Sequence, residues 1–146
     1  MTGGQRWVRS AAAALFLAAG CATAGHRAST PGDAAPRGHL LIVGGGPIPG
    51  AILERFVELA GGRGRARIII FPMASENADA GLELAEDFRR LGAETERIVL
   101  TREEATETAA RRLGGVTGIW FGGGDQARLT AVLLQTPVEA AIRARY

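Results

Sequence analysis

The sequence predicts an α/β fold, a doubly wound parallel sheet of flavodoxin-like order, and three observations carry that expectation. Short apolar runs alternate with amphipathic stretches between residues 38 and 134, each run followed by a helical pattern. That alternation is the signature of parallel strands joined by right-handed crossovers. Two of the runs empty into glycine triplets, Gly44-Gly45-Gly46 and Gly122-Gly123-Gly124, as strand-to-helix turns at a sheet edge require. Finally, about 109 residues suffice for one modest domain and no more.

The elements follow in order. His39-Leu40-Leu41-Ile42-Val43 is a continuous apolar run, the pattern of a strand buried on both faces. After Pro49, Leu53, Phe56, Val57 and Ala60 share one helical face, which stops at Gly61-Gly62. Residues 66–71, with Ile68, Ile69 and Ile70, make the second buried strand. Asp79 is placed to cap a second helix with a stripe of Leu84, Phe88 and Leu91, closed by Gly92. Residues 96–100 form a shorter, more polar strand suited to an edge. Thr101 and Glu104 have capping-box spacing for a third helix. Residues 116–121 are the fourth strand, and Asp125 or Gln126 opens a helix carrying Leu129, Val132 and Leu133. Thr136-Pro137-Val138-Glu139 is a second capping box with Pro at the first helical position. The expectation is four βα units plus the start of a fifth helix, an incomplete sheet whose fourth strand or its neighbour leaves an unpaired apolar edge.

Residues 1–37 read differently. Arg6 and Arg9 precede an apolar stretch from Ala11 to Ala19 and then Gly20-Cys21, the layout of a signal peptide. The stretch is shorter than the roughly 20 apolar residues a membrane span needs. Leu17-Ala18-Ala19-Gly20-Cys21 resembles a lipoprotein box, which implies cleavage before Cys21 and lipid attachment to its thiol; Ala22-Thr23-Ala24 is a competing processing site that would discard it. The expected organisation is a signal peptide over 1–20, a flexible tether over 21–37 rich in Ser, Thr, Pro and Gly, and a partial α/β domain over 38–146. The expected location is the cell envelope, anchored by lipid, or secreted if Cys21 is lost. Charge follows the same division: Arg6, Arg9, Arg27 and Arg37 against Asp33 give +3, while thirteen arginines against fourteen acids leave residues 38–146 at −1. No basic stripe marks a nucleic-acid partner. Every basic residue is Arg, which excludes a P-loop lysine.

Candidate chemistry concentrates at the glycine turns. Gly44 to Gly50 fits a dinucleotide fingerprint poorly, because Pro49 stands where the last glycine is needed and no acid closely follows the second strand. Close strand–helix packing accounts for Gly44, while Gly45 and Gly46 are candidates to line a cleft. Ser75 is the one serine between residues 38 and 146, but Glu76 and Asn77 follow it where an elbow needs small residues. The one histidine there, His39, begins the first strand, at the sheet edge opposite any ligand crevice. Ser75 therefore reads as a loop residue bonded to nearby backbone. No nucleophile and base pair up within this chain, no His, Cys, Asp or Glu cluster has metal-ligand spacing, and no cofactor is implied.

Taken together, Leu41-Ile42-Val43-Gly44-Gly45-Gly46, Ile70-Phe71-Pro72-Met73-Ala74-Ser75 and Gly122-Gly123-Gly124-Asp125-Gln126-Ala127-Arg128-Leu129 resemble the cyanophycinase-like serine peptidases, with Thr136-Pro137 following at the family's usual place. The family is related to peptidase E, which carries Asn and Thr after these glycines, and has a class I glutamine amidotransferase-like fold. The resemblance implies hydrolysis of peptide or isopeptide bonds by a serine on a Gly-Thr-Ser-Ala-Gly-like elbow, with a histidine and an acid later in the chain. None of the three is present here, so the chain resembles an N-terminal portion, inactive alone. It further implies oxyanion or substrate-binding roles for Gly123, Gly124 and Gln126. Asp125 is either a helix cap or a substrate contact, and the expected partner is a peptide-type substrate. A non-catalytic, lipid-anchored binding protein using the glycine-rich crevice is the alternative.

Overall fold

The computed structural model describes residues 37–146. Its elements are α1 (Gly50–Leu59), β1 (Arg67–Phe71), α2 (Leu82–Arg90), β2 (Glu94–Arg97), α3 (Glu107–Arg111), β3 (Gly118–Phe121), α4 (Gln126–Leu133) and α5 (Pro137–Arg143). The three strands form one parallel sheet in the order β2-β1-β3. Counted from β1, that is the opening of the flavodoxin-like order.

Alternation along β1 builds two cores from one strand, because successive side chains leave opposite faces. Ile68 and Ile70 join Leu53, Val57, Ala85, Phe88 and Trp120 on the face covered by α1 and α2. Ile69 and Phe71 join Ile98, Leu113, Leu133 and Val138 on the other face, where Ala109 of α3 also packs. The sheet is thus sandwiched between two helical layers, as expected of a doubly wound fold. Phe56, Phe88 and Trp120 knit the first layer through ring contacts at 5.1–5.5 Å. Such pairs contribute roughly 0.5–1.5 kcal/mol beyond their buried area.

Three local expectations are corrected. The run from His39 to Val43 forms no ladder with any described strand; Leu40 is 70% and Ile42 85% exposed, so the sheet holds three strands and not four. Strand patterning sets which residues can pair, but pairing also needs an adjacent partner edge, and none touches this segment. The second helix starts at Leu82 and not at Asp79, whose N–H instead donates to Asn77 Oδ1 in an Asx turn. Gly81 takes the cap position at φ +82, and a Cβ there would lie 3.1 Å from Ile70. The capping box expected for the third helix forms only in part: Glu104 accepts from the Thr101 N–H at 2.8 Å, but around a turn, and α3 begins at Glu107. The last box holds, with Thr136 Oγ1 accepting from the Glu139 N–H at 3.3 Å and Pro137 opening α5. Glu139 reaches back one residue further than expected, to the N–H of Gln135 at 2.6 Å.

β2 and β3 occupy the two sheet edges. The polar β2 alternates exposed and half-buried positions, as a solvated edge does. β3 is apolar, and its outer side meets no strand among the described residues. The signal peptide, tether and Cys21 lie outside the described residues.

Candidate active-site turn

Phe71 and Phe121 end their strands side by side, with rings stacked at 5.8 Å, and both chains then turn at the carboxyl edge of the sheet. This edge is where open α/β sheets place ligands. After β1 the chain folds back through Pro72–Ser75, closed by the Ser75 N–H donating to the Pro72 carbonyl at 2.9 Å. After β3 the glycine turn lies against that loop. The Gly122 N–H donates to the Phe71 carbonyl at 2.8 Å, and the Asp125 N–H to the Ala74 carbonyl at 2.9 Å.

Between those two anchors, the N–H groups of Gly123 and Gly124 make no hydrogen bond among the described residues, and both glycines are exposed. They immediately precede Asp125, the N-cap of α4, on the side where the helix dipole favours negative charge. The two glycines differ in what requires them. A Cβ on Gly123 would meet nothing within 4 Å. Gly124 has φ +137, and a Cβ there would fall 2.6 Å from the Ala74 carbonyl carbon and 2.9 Å from the Ser75 nitrogen, closer still to the Ala74 oxygen. Glycine at 124 is therefore demanded by the neighbouring loop, before any substrate is considered.

Asp125 caps α4: its Oδ1 accepts from the Ala127 N–H at 2.7 Å. Gln126 is the first residue of α4 and is exposed. Ser75 Oγ accepts from the Asn77 N–H at 3.1 Å, the local loop bond expected of it. Sequence patterning gave no sign of the Arg128–Glu76 ion pair, which at 2.9 Å ties α4 to the loop after β1. Its partners are 52 residues apart and follow no local periodicity. Both are well exposed, so the pair contributes about 0–1 kcal/mol.

Gly45 and Gly46 are exposed, with Gly46 at φ +105, and no hydrogen bond joins them to the Gly122–Gln126 turn. They follow the His39–Val43 segment, which pairs with no described strand although Val43 packs against the first core. His39 belongs to the same segment, and it lines a cavity of about 660 Å³ on the outer side of β3, together with Leu40, Phe56, Ile119, Phe121 and Tyr146.

No family model matches the chain. Sequence relatives do: the cyanophycinase of Synechococcus elongatus is 40% identical over 96 residues, 63% of this chain and 30% of its own length. The Thermosynechococcus vestitus cyanophycinase matches to the same extent. That of Trichormus variabilis is 37% identical over 112 residues, 73% of this chain and 38% of its own. The chain thus spans about a third of the length of the curated relatives it matches. Among solved structures, a peptidase from an acI-B1 Actinobacterium superposes with a TM-score of 0.55 at 23% identity, over 66% of this chain and 43% of that one, which establishes a shared fold. With the parallel sheet and its relatives in agreement, the chain is a cyanophycinase-like peptidase segment, its partial coverage fitting an N-terminal portion of that family.

Proposed function

We propose that this chain is the amino-terminal part of an exported serine-type peptidase, and that its turn from Gly122 to Gln126 stabilises the oxyanion and contacts the substrate. The observation that carries the reading is the pair of unbonded N–H groups at Gly123 and Gly124, held at the carboxyl edge of the sheet beside an exposed Gln126. Acyl transfer builds negative charge on the carbonyl oxygen, and preorganised backbone donors lower that barrier, by roughly 3–4 kcal/mol for a well-placed one. The Gln126 amide both donates and accepts, as contact with a peptide unit requires. The serine, its histidine base and an acid come from outside these 146 residues, since Ser75 is bonded to its own loop. A nucleophile and its base act as a unit, so the chain alone does not turn over substrate. Cys21 carries the lipid that holds the enzyme at the cell envelope, facing peptide-type substrates there.

The test is a chimera in which residues 38–146 replace the matched region of the Synechococcus elongatus relative. The chimera is expected to hydrolyse a peptide-type substrate that the 146-residue chain leaves intact. Gln126→Ala in the chimera should lower kcat by about tenfold or more with the melting temperature unchanged, because it removes one substrate hydrogen bond and no packing. Unchanged turnover in Gln126→Ala, or labelling of the isolated chain by a serine-reactive probe, would refute the assignment.

A further inference from the structure

The charges of residues 38–146 are sorted between the two ends of the sheet. Seven of the thirteen arginines pair with seven of the fourteen acids among the described residues. The six arginines and seven acids left over do not mix. Arg97 donates to the Ala78 and Ala80 carbonyls, and Arg102 to those of Ala131 and Leu134, so both are held in place by backbone. The other four, Arg63, Arg65, Arg111 and Arg145, are exposed. Arg63 and Arg65 lie in the loop entering β1, and Arg111 ends α3 just before the loop entering β3. Because the strands are parallel, these loops share the amino edge of the sheet, opposite the glycine turn. Hydrogen bonds join them: the Gly64 N–H donates to the Gly92 carbonyl at 2.8 Å, and the Arg67 N–H to Thr117 Oγ1 at 2.9 Å. The acids without a cation fall toward the other edge, after strand ends as at Asp79, Glu104 and Asp125, or in the leading half of a helix as at Glu54 and Glu83. A helix dipole accounts for a cation in the last turn of α3, but Arg63 and Arg65 belong to no helix.

We infer that this amino edge is a docking face for an anionic lipid surface. A second observation points the same way. The N–H groups of Arg37 and Gly38 donate to the Tyr146 carbonyl at 2.8 and 3.0 Å, and Arg37 and Arg145 line the cavity beside β3 together with Val116 and Thr117, which precede that strand. The chain thus enters the domain on the side that carries the arginines. Cys21 is 16 residues before Arg37, and a flexible chain of that length spans roughly 20–24 Å. A lipid on Cys21 keeps the edge near the bilayer, where a tether raises the local concentration and a few arginines, each contributing about fivefold near an anionic surface, suffice. Residues 61–67 and 111–117 hold no aromatic side chain on which bases could stack, which favours lipid over RNA. Docked this way, the protein turns the Gly122–Gln126 edge away from the bilayer. The inference rests on the proposed function for the nearness of a membrane; the sorting of charge is a property of the fold.

The test uses the full 146-residue chain with Cys21→Ser, so that no lipid attaches, and vesicles of phosphatidylglycerol or of phosphatidylcholine. Sedimentation is expected to show tighter binding to the anionic vesicles, weakening toward 1 M salt, where the Debye length falls to about 3 Å. Hydrogen exchange on those vesicles should protect the amides of 61–65 and 112–117 and leave Gly123 and Gly124 as they are in solution. Arg63→Gln with Arg65→Gln should weaken anionic binding by about fivefold or more with an unchanged melt, whereas Arg63→Lys with Arg65→Lys should retain it. Arg55→Gln with Arg128→Gln makes the same change in net charge off the edge and should bind as the parent does. Every variant carries the same leader, so its own membrane affinity cancels from these comparisons. The inference fails if the two Gln pairs bind alike, if neutral vesicles bind as tightly as anionic ones, if the amides of 61–65 stay unprotected, or if single-stranded RNA protects that edge and anionic vesicles do not. Edge protection in a chain whose Cys21 takes no palmitate label would sink the lipid anchor and leave the docking face standing; a labelled Cys21 without edge protection would do the reverse.

Discussion

Substituting Gly124 by Ala separates the structural demand of the turn from its chemistry. The added Cβ would strike the Ala74 carbonyl group and the Ser75 nitrogen, all backbone atoms that have no rotamer to retreat into. Residue 124 would also have to hold φ +137 with a side chain, which costs about 1–3 kcal/mol. Moving the loop away stretches the Asp125 N–H to Ala74 bond, worth about 0.5–1.5 kcal/mol. The sum is a loss of roughly 2–4 kcal/mol, or a fall in Tm of roughly 10 °C or more for a domain of this size. Gly123→Ala is the paired control: its Cβ meets open space, so the melt should stay within about 0.5 kcal/mol of wild type. Thermal unfolding followed by circular dichroism, the three proteins run side by side, reads both. Equal melting of Gly124→Ala and wild type, or equal losses in the two variants, would refute the claim that the Ala74 contact is what requires glycine at 124.

Other perturbations test neighbouring parts of the argument. Asp125→Ala should cost about 1 kcal/mol in a denaturant titration, by removing the cap on the Ala127 N–H, and Asp125→Asn should recover most of it. Glu139 is held below the usual carboxylate range, first by the hydrogen bond from the Gln135 N–H and then by Arg143. A lowered native pKa gives stability that is present above the unfolded value of 4.5 and lost as pH falls through the native one, so Glu139→Gln should flatten the melt-versus-pH curve on the acid side of 4.5. In a bacterial host the chain should label with a palmitate analogue and partition with membranes, and Cys21→Ser should abolish the label; equal labelling of the variant would rule the lipid anchor out.

Much of the middle of the chain was legible because its signals are local. Residues 68–71 are apolar without a break, and Thr136-Pro137 with Glu139 carries its own cap chemistry, so both elements formed where the pattern put them. Asp79 misled because the Asn77 side chain two residues earlier accepts from the Asp79 N–H in an Asx turn, and Gly81 takes the cap position instead. The His39–Val43 run misled in a deeper way, since its pattern states how a strand would be buried and not whether a partner edge lies beside it.

Sequence alone determined the α/β class, the parallel sheet, the glycine turn at its carboxyl edge and the family likeness. Those follow from periodicities of a few residues and from a contiguous motif. Tertiary structure decided the strand order, the Ala74 contact that makes Gly124 obligatory, the Arg128–Glu76 pair and the cavity beside β3. Each of these joins groups 27 to 52 residues apart or concerns empty space, and neither leaves a mark on local residue order; only the pairing of β2 and β3 with β1 brings those groups together.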